Sequence, residues 1–315
     1  MSSPDGTRRR SLPLRFGQYL LERFPPLGHG LLVVVFTFSA VAYSILLRGR
    51  GDFIPVGQFA LAAFLTVTLF LLLRISDEFK DAVEDAAHRP ELPVPRGLIS
   101  LRELAGIGAV IVVAQVALLL VFAKAILPLY ALALGYMAAM FVEFGVHDWL
   151  RRHPWAYNAS HMLIIPLVDV VASGFDWRLA GADPPPGLAW FFAVSYCNGV
   201  VLELGRKLAP PGAPDPGRRF YTTQLGRGGA VVALASALVV TFGLAWGALS
   251  AAGHATGAYV GISVVLLLCA AAVAAFYARP TAERAKVVEL ASGVWALGMY
   301  LFLGGLPMAA KLLGL

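Results

Sequence analysis

Phe59-Ala-Leu-Ala-Ala-Phe-Leu-Thr-Val-Thr-Leu-Phe-Leu-Leu-Leu73-Arg-Ile-Ser-Asp77-Glu-Phe-Lys-Asp81-Ala-Val-Glu-Asp85-Ala-Ala-His-Arg89-Pro-Glu-Leu-Pro-Val-Pro-Arg96-Gly-Leu-Ile-Ser100 joins the two patterns that decide the fold. The first half is an uninterrupted apolar run of the kind that crosses hydrocarbon as a helix. The second half places Asp77, Glu78, Asp81, Glu84 and Asp85 within nine positions of a chain that is only 14% charged. Prolines and Gly97 then turn the chain back toward the membrane at Leu98, because proline fixes φ and glycine admits a tight turn.

Working outward, the same alternation of apolar runs and short charged loops continues through all 315 residues. The chain is 58% hydrophobic with a mean hydropathy of +0.73, which excludes a soluble two-domain protein. The runs predict nine spans, near 29–47, 55–75, 105–123, 126–146, 158–174, 187–204, 227–249, 257–278 and 290–313. The expected fold is therefore an all-α polytopic membrane bundle, a single domain over 1–315 around a central cavity. Residues 1–26 form a polar N-terminal segment, and Leu12–Pro26 within it has the composition of an interfacial helix. The first apolar run begins near Leu27 behind this polar start, so no cleavable leader is expected.

Of the 25 Lys and Arg, 20 fall in the N-terminal segment and alternate loops, starting with Arg8, Arg9, Arg10, Arg15 and Arg23. The other side holds Arg48, Arg50, Lys124, Arg178 and Lys311. The positive-inside rule puts the N-terminus and the Asp77 loop in the cytoplasm, and an odd number of spans puts the C-terminus opposite. For a bacterial chain this means the inner or plasma membrane. The net charge of +6 marks topology and not a nucleic-acid surface, and no obligatory protein partner is evident. Cys197 and Cys269 both fall inside predicted spans and read as small buried hydrophobes without a disulfide.

Asp77, Asp81 and Asp85 repeat at i, i+4, i+8, so one helix face carries three carboxylates. Like charges at that spacing repel by a few tenths of a kcal/mol per pair. A divalent cation reverses the sign, since Mg²⁺ takes carboxylate oxygens and completes its shell with water and phosphate. Arg89 and Arg96 follow, suited to bidentate phosphate contacts. The plain alternative is a solvated acidic loop.

Asp77-Glu-x-x-Asp81-x-x-x-Asp85, then His88-Arg-Pro and Pro95-Arg-Gly-Leu-Ile-Ser100, resembles the first aspartate-rich motif of the UbiA family of intramembrane aromatic prenyltransferases. Asp77 stands where that family usually has Asn. The resemblance implies Mg²⁺-dependent transfer of an isoprenyl group from a prenyl diphosphate to a small lipophilic acceptor, aromatic or quinone-type. It implies Asp77, Asp81 and Asp85 as the catalytic metal ligands, Arg89 on the diphosphate, and Arg23 facing the substrate cavity. Read without the resemblance, Arg23 is an interfacial anchor.

The family's second motif, Asp-x-x-x-Asp, would fall at the end of the sixth span, Tyr196-Cys-Asn198-Gly-Val-Val-Leu-Glu203-Leu-Gly-Arg206-Lys207, before Phe220-Tyr221-Thr-Thr. Its acids are mostly missing. Asn198 and Glu203 are the remaining candidate metal ligands, and Arg206, Lys207 and Tyr221 the candidate diphosphate contacts. In the fifth span Tyr157 and Pro166 match the family pattern, while its Lys-Arg pair is absent. Glu143 and His147 at i, i+4 read as a hydrogen-bonded pair, or as two ligands of a transition metal short of a third. The charged clusters sit on equivalent ends of the second and sixth spans, which the resemblance reads as a duplicated four-helix arrangement plus a ninth helix. Asp77-Glu-Phe-Lys lacks the Asp-Gly-x-x-Ala-Arg signature of CDP-alcohol phosphotransferases. The depleted second motif leaves a second reading open, a non-catalytic prenyl-lipid-binding or scaffold member of the same family.

Overall fold

A computed structural model describes residues 11–214 and 220–314. Arg8, Arg9 and Arg10 of the charge asymmetry, and Arg218 and Arg219 beside the second motif, lie outside the described residues. Among those described there are helices and no strands. Nine helical segments are long and apolar enough to cross a membrane: Pro26–Leu47, Val56–Lys80, Leu101–Phe122, Lys124–Phe141, Pro154–Trp177, Leu188–Arg206, Tyr221–Ala251, Thr256–Ala278 and Ala282–Leu313. The all-α polytopic bundle read from the sequence is therefore the observed fold.

We number the α-helices α1 (Leu12–Arg23), α2 (Leu31–Leu47), α3 (Val56–Lys80), α4 (Ala82–His88), α5 (Leu101–Phe122), α6 (Leu127–Phe141) and α7 (His147–Arg152). They continue as α8 (Pro154–Met162), α9 (Ile164–Trp177), α10 (Leu188–Arg206), α11 (Tyr221–Ala251), α12 (Thr256–Ala278), α13 (Ala282–Tyr300) and α14 (Leu306–Leu313). The centre of the bundle is α10, packed against α2, α8, α9, α11 and α13. Burial follows position: 61% of the apolar window of Pro154–Trp177 is inside the protein, against 22% for Leu101–Phe122, which presents most of its face outward. A π-helical turn, Leu301–Gly305, links α13 to α14 where it crosses α2. A Cβ on Gly304 would stand 2.1 Å from the Ser39 carbonyl oxygen, so only glycine allows this approach.

The acidic stretch folds as its turn residues predict. α3 bends at Asp81 (φ −90°, ψ 0°) into α4, yet the Asp81 and Asp85 N–H groups still donate one turn back, each at 2.8 Å. After Arg89 the chain turns through the prolines, with Gly97 left-handed at φ +78°. Ser100 then caps α5: its hydroxyl accepts from Glu103 N at 3.2 Å and Glu103 Oε2 accepts from Ser100 N at 2.9 Å.

α1 is more than an interfacial helix. Tyr19 is fully buried against the ends of α3 and α5 in a small second core with Phe24, Leu71, Ile75, Ile99 and Leu104. Arg15 pairs with Glu103 at 2.6 Å and Arg96 with Glu22 at 2.6 Å, tying α1 to the proline turn. At the opposite end of the bundle, buried Asp176 accepts from Ser44 Oγ at 2.8 Å, Arg48 at 2.9 Å and Arg50 at 3.3 Å. Lys311 donates to the Arg50 carbonyl there at 2.8 Å. Cys197 and Cys269 are free thiols.

Candidate functional site

The bend at Asp81 decides what becomes of the three aspartates. They stay one turn apart, but their surroundings diverge. The Asp77 side chain is 54% exposed and 3.7 Å from Arg74. Asp81 is half-buried, makes no side-chain hydrogen bond or ion pair with a described residue, and lines a charged cavity of about 290 Å³. Asp85 is buried, ion-paired with Arg89 and 4.0 Å from Arg23. Beyond the bend the third carboxylate is buried, while Asp77 is exposed and Asp81 stands on the cavity wall.

The charged cavity lies between the ends of α3 and α10, with α8 and the start of α11 closing it. α10 contributes Glu203, and Lys207 follows directly. Lys207 reaches Glu203 at 2.5 Å, and Arg206 also pairs with Glu203. Tyr221 Oη accepts from Asn158 Nδ2 at 2.9 Å, and its ring lies 6.0 Å from Lys207 Nζ. The two half-motifs, more than a hundred residues apart in the chain, meet here through Asp81, Glu203, Lys207 and Tyr221.

Lys80 organises the other wall. Its Nζ donates to Tyr157 Oη at 3.2 Å and stands 3.3 Å from Glu143 Oε1. His161 Nδ1 faces the Tyr157 carbonyl at 2.9 Å, which can only accept. That nitrogen therefore carries the proton, and Nε2 accepts from Lys80 Nζ at 3.1 Å. Glu143 is placed by unusual backbone. Glu143, Phe144 and Gly145 are all left-handed, at φ +49°, +55° and +72°. For the two non-glycine residues this costs about 1–3 kcal/mol each and marks a position that the surroundings hold in place. The break ends the fourth span at Phe141, short of the 126–146 predicted, so Glu143 and His147 do not share a helix face. They meet across the kink, His147 Nδ1 to Glu143 Oε2 at 2.6 Å.

A second space opens on the other side of Glu203. It is an apolar groove of about 760 Å³ between α2, α9, α10 and α13, walled by Leu31, Val35, Ile165, Leu202 and Leu297. Its polar mouth is made by Glu203, Arg206, Lys286 and Glu289. Gly293 lies on its wall with nothing within 4 Å of a notional Cβ.

The remaining expected site residues lie elsewhere. Arg23 Nε pairs with Glu78 at 2.7 Å and spans from there toward Asp85, so it is neither a lipid-facing anchor nor a lining of the cavity. Glu78, with Arg74 at 3.2 Å and Tyr19 at 3.5 Å, is a buried hub that sequence reasoning passed over. Arg89 faces Asp85. Asn198 is buried inside the bundle, a helical turn deeper than the cavity wall. Lys80 was missed as well. Its signal was a cation ending an apolar helix between Asp77 and Asp81, but which way it faces depends on the bend. Among the described residues no three His, Cys, Asp or Glu side chains converge as a metal cluster.

Outside the spans, the Arg96 hydrogen bonds hold the Glu22 carboxyl below the usual carboxylate range. Burial, with Glu78 next, pushes the Tyr19 phenol upward.

No family model matches this chain, and neither a curated protein nor a solved structure is similar to it.

Proposed function

We propose that this chain is an intramembrane prenyltransferase of the UbiA type, binding a prenyl diphosphate at the charged end of the bundle and transferring its isoprenyl group to a small aromatic or quinone-type acceptor. The observation that carries the reading is the pair of spaces sharing Glu203: a charged cavity of about 290 Å³ beside an apolar groove of about 760 Å³. Together they suit an amphiphile with a compact anionic head and a long tail, in the size range of ligand sites. The charge asymmetry of the loops supports a cytoplasmic position for the charged end.

The residues divide the work. Lys80, Arg151 and Lys207 line the cavity and would donate to phosphate oxygens. Lys80 and Lys207 are already neutralised by Glu143 and Glu203, so the cavity has little spare positive charge for a diphosphate. Asp81 on the cavity wall is the unpaired carboxylate for a divalent ion, with exposed Asp77, 3.7 Å from Arg74, one turn before it. This fits Mg²⁺, an ion that binds through one or two carboxylates plus substrate phosphates. Bound there, Mg²⁺ would neutralise the diphosphate as a leaving group. The allylic C–O bond breaks, the diphosphate leaves with the electron pair, and the acceptor forms the new bond to carbon and loses a proton. The apolar groove wall keeps water from the allylic cation.

One observation favours a second reading, a prenyl-lipid-binding protein without transfer. Asp85 and Glu203 are committed to Arg89 and to Arg206 and Lys207, and no three-carboxylate cluster forms among the described residues. The deciding experiment is turnover by the purified full chain in detergent. Radiolabelled geranyl, farnesyl and geranylgeranyl diphosphates are offered with Mg²⁺ and a panel of phenolic and quinone-type acceptors. Mg²⁺-dependent consumption of a donor supports the transferase. Donor bound without consumption supports the lipid-binding reading, and neither binding nor consumption refutes both.

A further inference from the structure

Five carboxylates are buried among the described residues: Glu78, Asp85, Glu143, Asp169 and Asp176. Four of them face an arginine or lysine. Asp169 does not. It is fully buried on α9, and neither carboxylate oxygen has a hydrogen-bond partner. It lies seven residues before Asp176, about 10 Å along the helix from the end where Arg48 and Arg50 sit. Ionisable groups at such depth are costly, and each needs a partner.

The surroundings of Asp169 are oxygen-rich. Ser195 on α10 and Tyr300 at the end of α13 approach Asp169 from two neighbouring helices, and Asn198, at i+3 from Ser195, approaches Tyr300. Ser195 Oγ and Tyr300 Oη are 2.9 Å apart and fully buried or nearly so. Asn198 is 1% exposed, and both its amide oxygen and nitrogen lack a partner. Two unpartnered polar side chains, Asp169 and Asn198, are therefore buried on either side of the Ser195–Tyr300 pair, whereas the other buried carboxylates among the described residues face cations.

We propose that Asp169, Asn198, Ser195 and Tyr300 form an intramembrane site for a monovalent hard cation of the sodium class. Three physical features select that ligand. The donors are all oxygens, which suit hard cations and not thiolate- or imidazole-seeking metals. Oxygens about 2.3–2.6 Å from an ion of this radius stand further apart than a direct hydrogen bond allows, which suits the Asp169 and Asn198 oxygens, neither of which has a hydrogen-bond partner. A single carboxylate neutralises one positive charge, whereas a divalent ion would leave a net charge inside hydrocarbon. The cation joins α9, α10 and α13 at mid-depth, and this site is independent of the diphosphate chemistry proposed above.

The test uses the full chain in detergent, unfolded thermally in sodium, potassium or choline chloride at matched ionic strength, with radiosodium binding measured in parallel. The expected result is a saturable rise of the midpoint with sodium over choline and one bound sodium per chain. Asn198→Ala weakens the apparent sodium affinity by about tenfold or more, and Asp169→Asn abolishes the shift. Equal midpoints in sodium and choline with no bound radiosodium overturn the site and leave Asp169 a neutral, protonated core residue. A sodium shift that survives in Asp169→Asn also overturns it. If Asp169→Asn does not fold, the wild-type sodium dependence and the Asn198→Ala affinity decide the question.

Discussion

Asp81→Asn separates a functional carboxylate from a structural one, because the structure predicts opposite signs for its two effects. Asp81 is half-buried and has no side-chain partner among the described residues, so amidation removes no bond. Asp77 lies one turn before it, and like charges at that spacing cost about 0.2–0.5 kcal/mol. Without metal or donor the variant should therefore match the wild type or gain up to that amount. With Mg²⁺ and a prenyl diphosphate at a hundredfold excess over Kd, the wild type should gain about 2.7 kcal/mol by mass action. The variant should lose most of that gain, because an amide offers a divalent ion no charge. Thermal unfolding in EDTA, in Mg²⁺ alone, and in Mg²⁺ with geranylgeranyl diphosphate measures all three quantities on one preparation. A loss of more than about 1 kcal/mol in EDTA would show that Asp81 is structural. A full Mg²⁺-dependent gain in the variant would remove the metal from Asp81.

Three further outcomes follow from the geometry. Glu78→Gln leaves Arg23 and Arg74 without their shared carboxylate and should cost about 1.5–3 kcal/mol. Early proteolysis within α1 should accompany that loss, and an unchanged midpoint would show that α1 is held by its apolar face alone. Gly293→Phe fills the open groove wall and should weaken geranylgeranyl diphosphate binding far more than geranyl diphosphate binding, as read by competition. Equal effects on both donors would place the tail elsewhere. Arg96→Leu removes the group that lowers the Glu22 pKa, and this half-exposed pair is worth under about 1 kcal/mol at pH 7. Because the folded pKa of Glu22 lies below its unfolded value, the stabilisation is complete above the ordinary carboxylate range and is lost as pH falls through the folded pKa. The stability difference between Arg96→Leu and wild type should therefore close in acid, and a difference constant from pH 7 to pH 3 would assign it to packing.

Hydropathy alone determined the bundle. Each of the nine runs must satisfy its own backbone in hydrocarbon, so the helix is a local consequence of composition and needs no knowledge of neighbours. The turn at 89–100 was equally legible, because Pro93, Pro95 and Gly97 act within a few residues of themselves, whereas the Ser100–Glu103 box that follows was seen only in the structure. Asp81 could be singled out by charge and spacing, and Glu203, Lys207 and Tyr221 through the family resemblance, yet only packing brings them to one cavity. Pairing is where local reading failed. Glu78 finds Arg23 across 55 positions, and Asp85 turns inward at a bend that the i, i+4, i+8 spacing does not encode. Asn198 faces Tyr300 a hundred residues on and not the cavity, and Glu143 reaches His147 through three left-handed residues where a continuous helix was expected. Charge partners are chosen by the burial that tertiary packing imposes, since an unpaired charge in low dielectric costs more than any local propensity can offset.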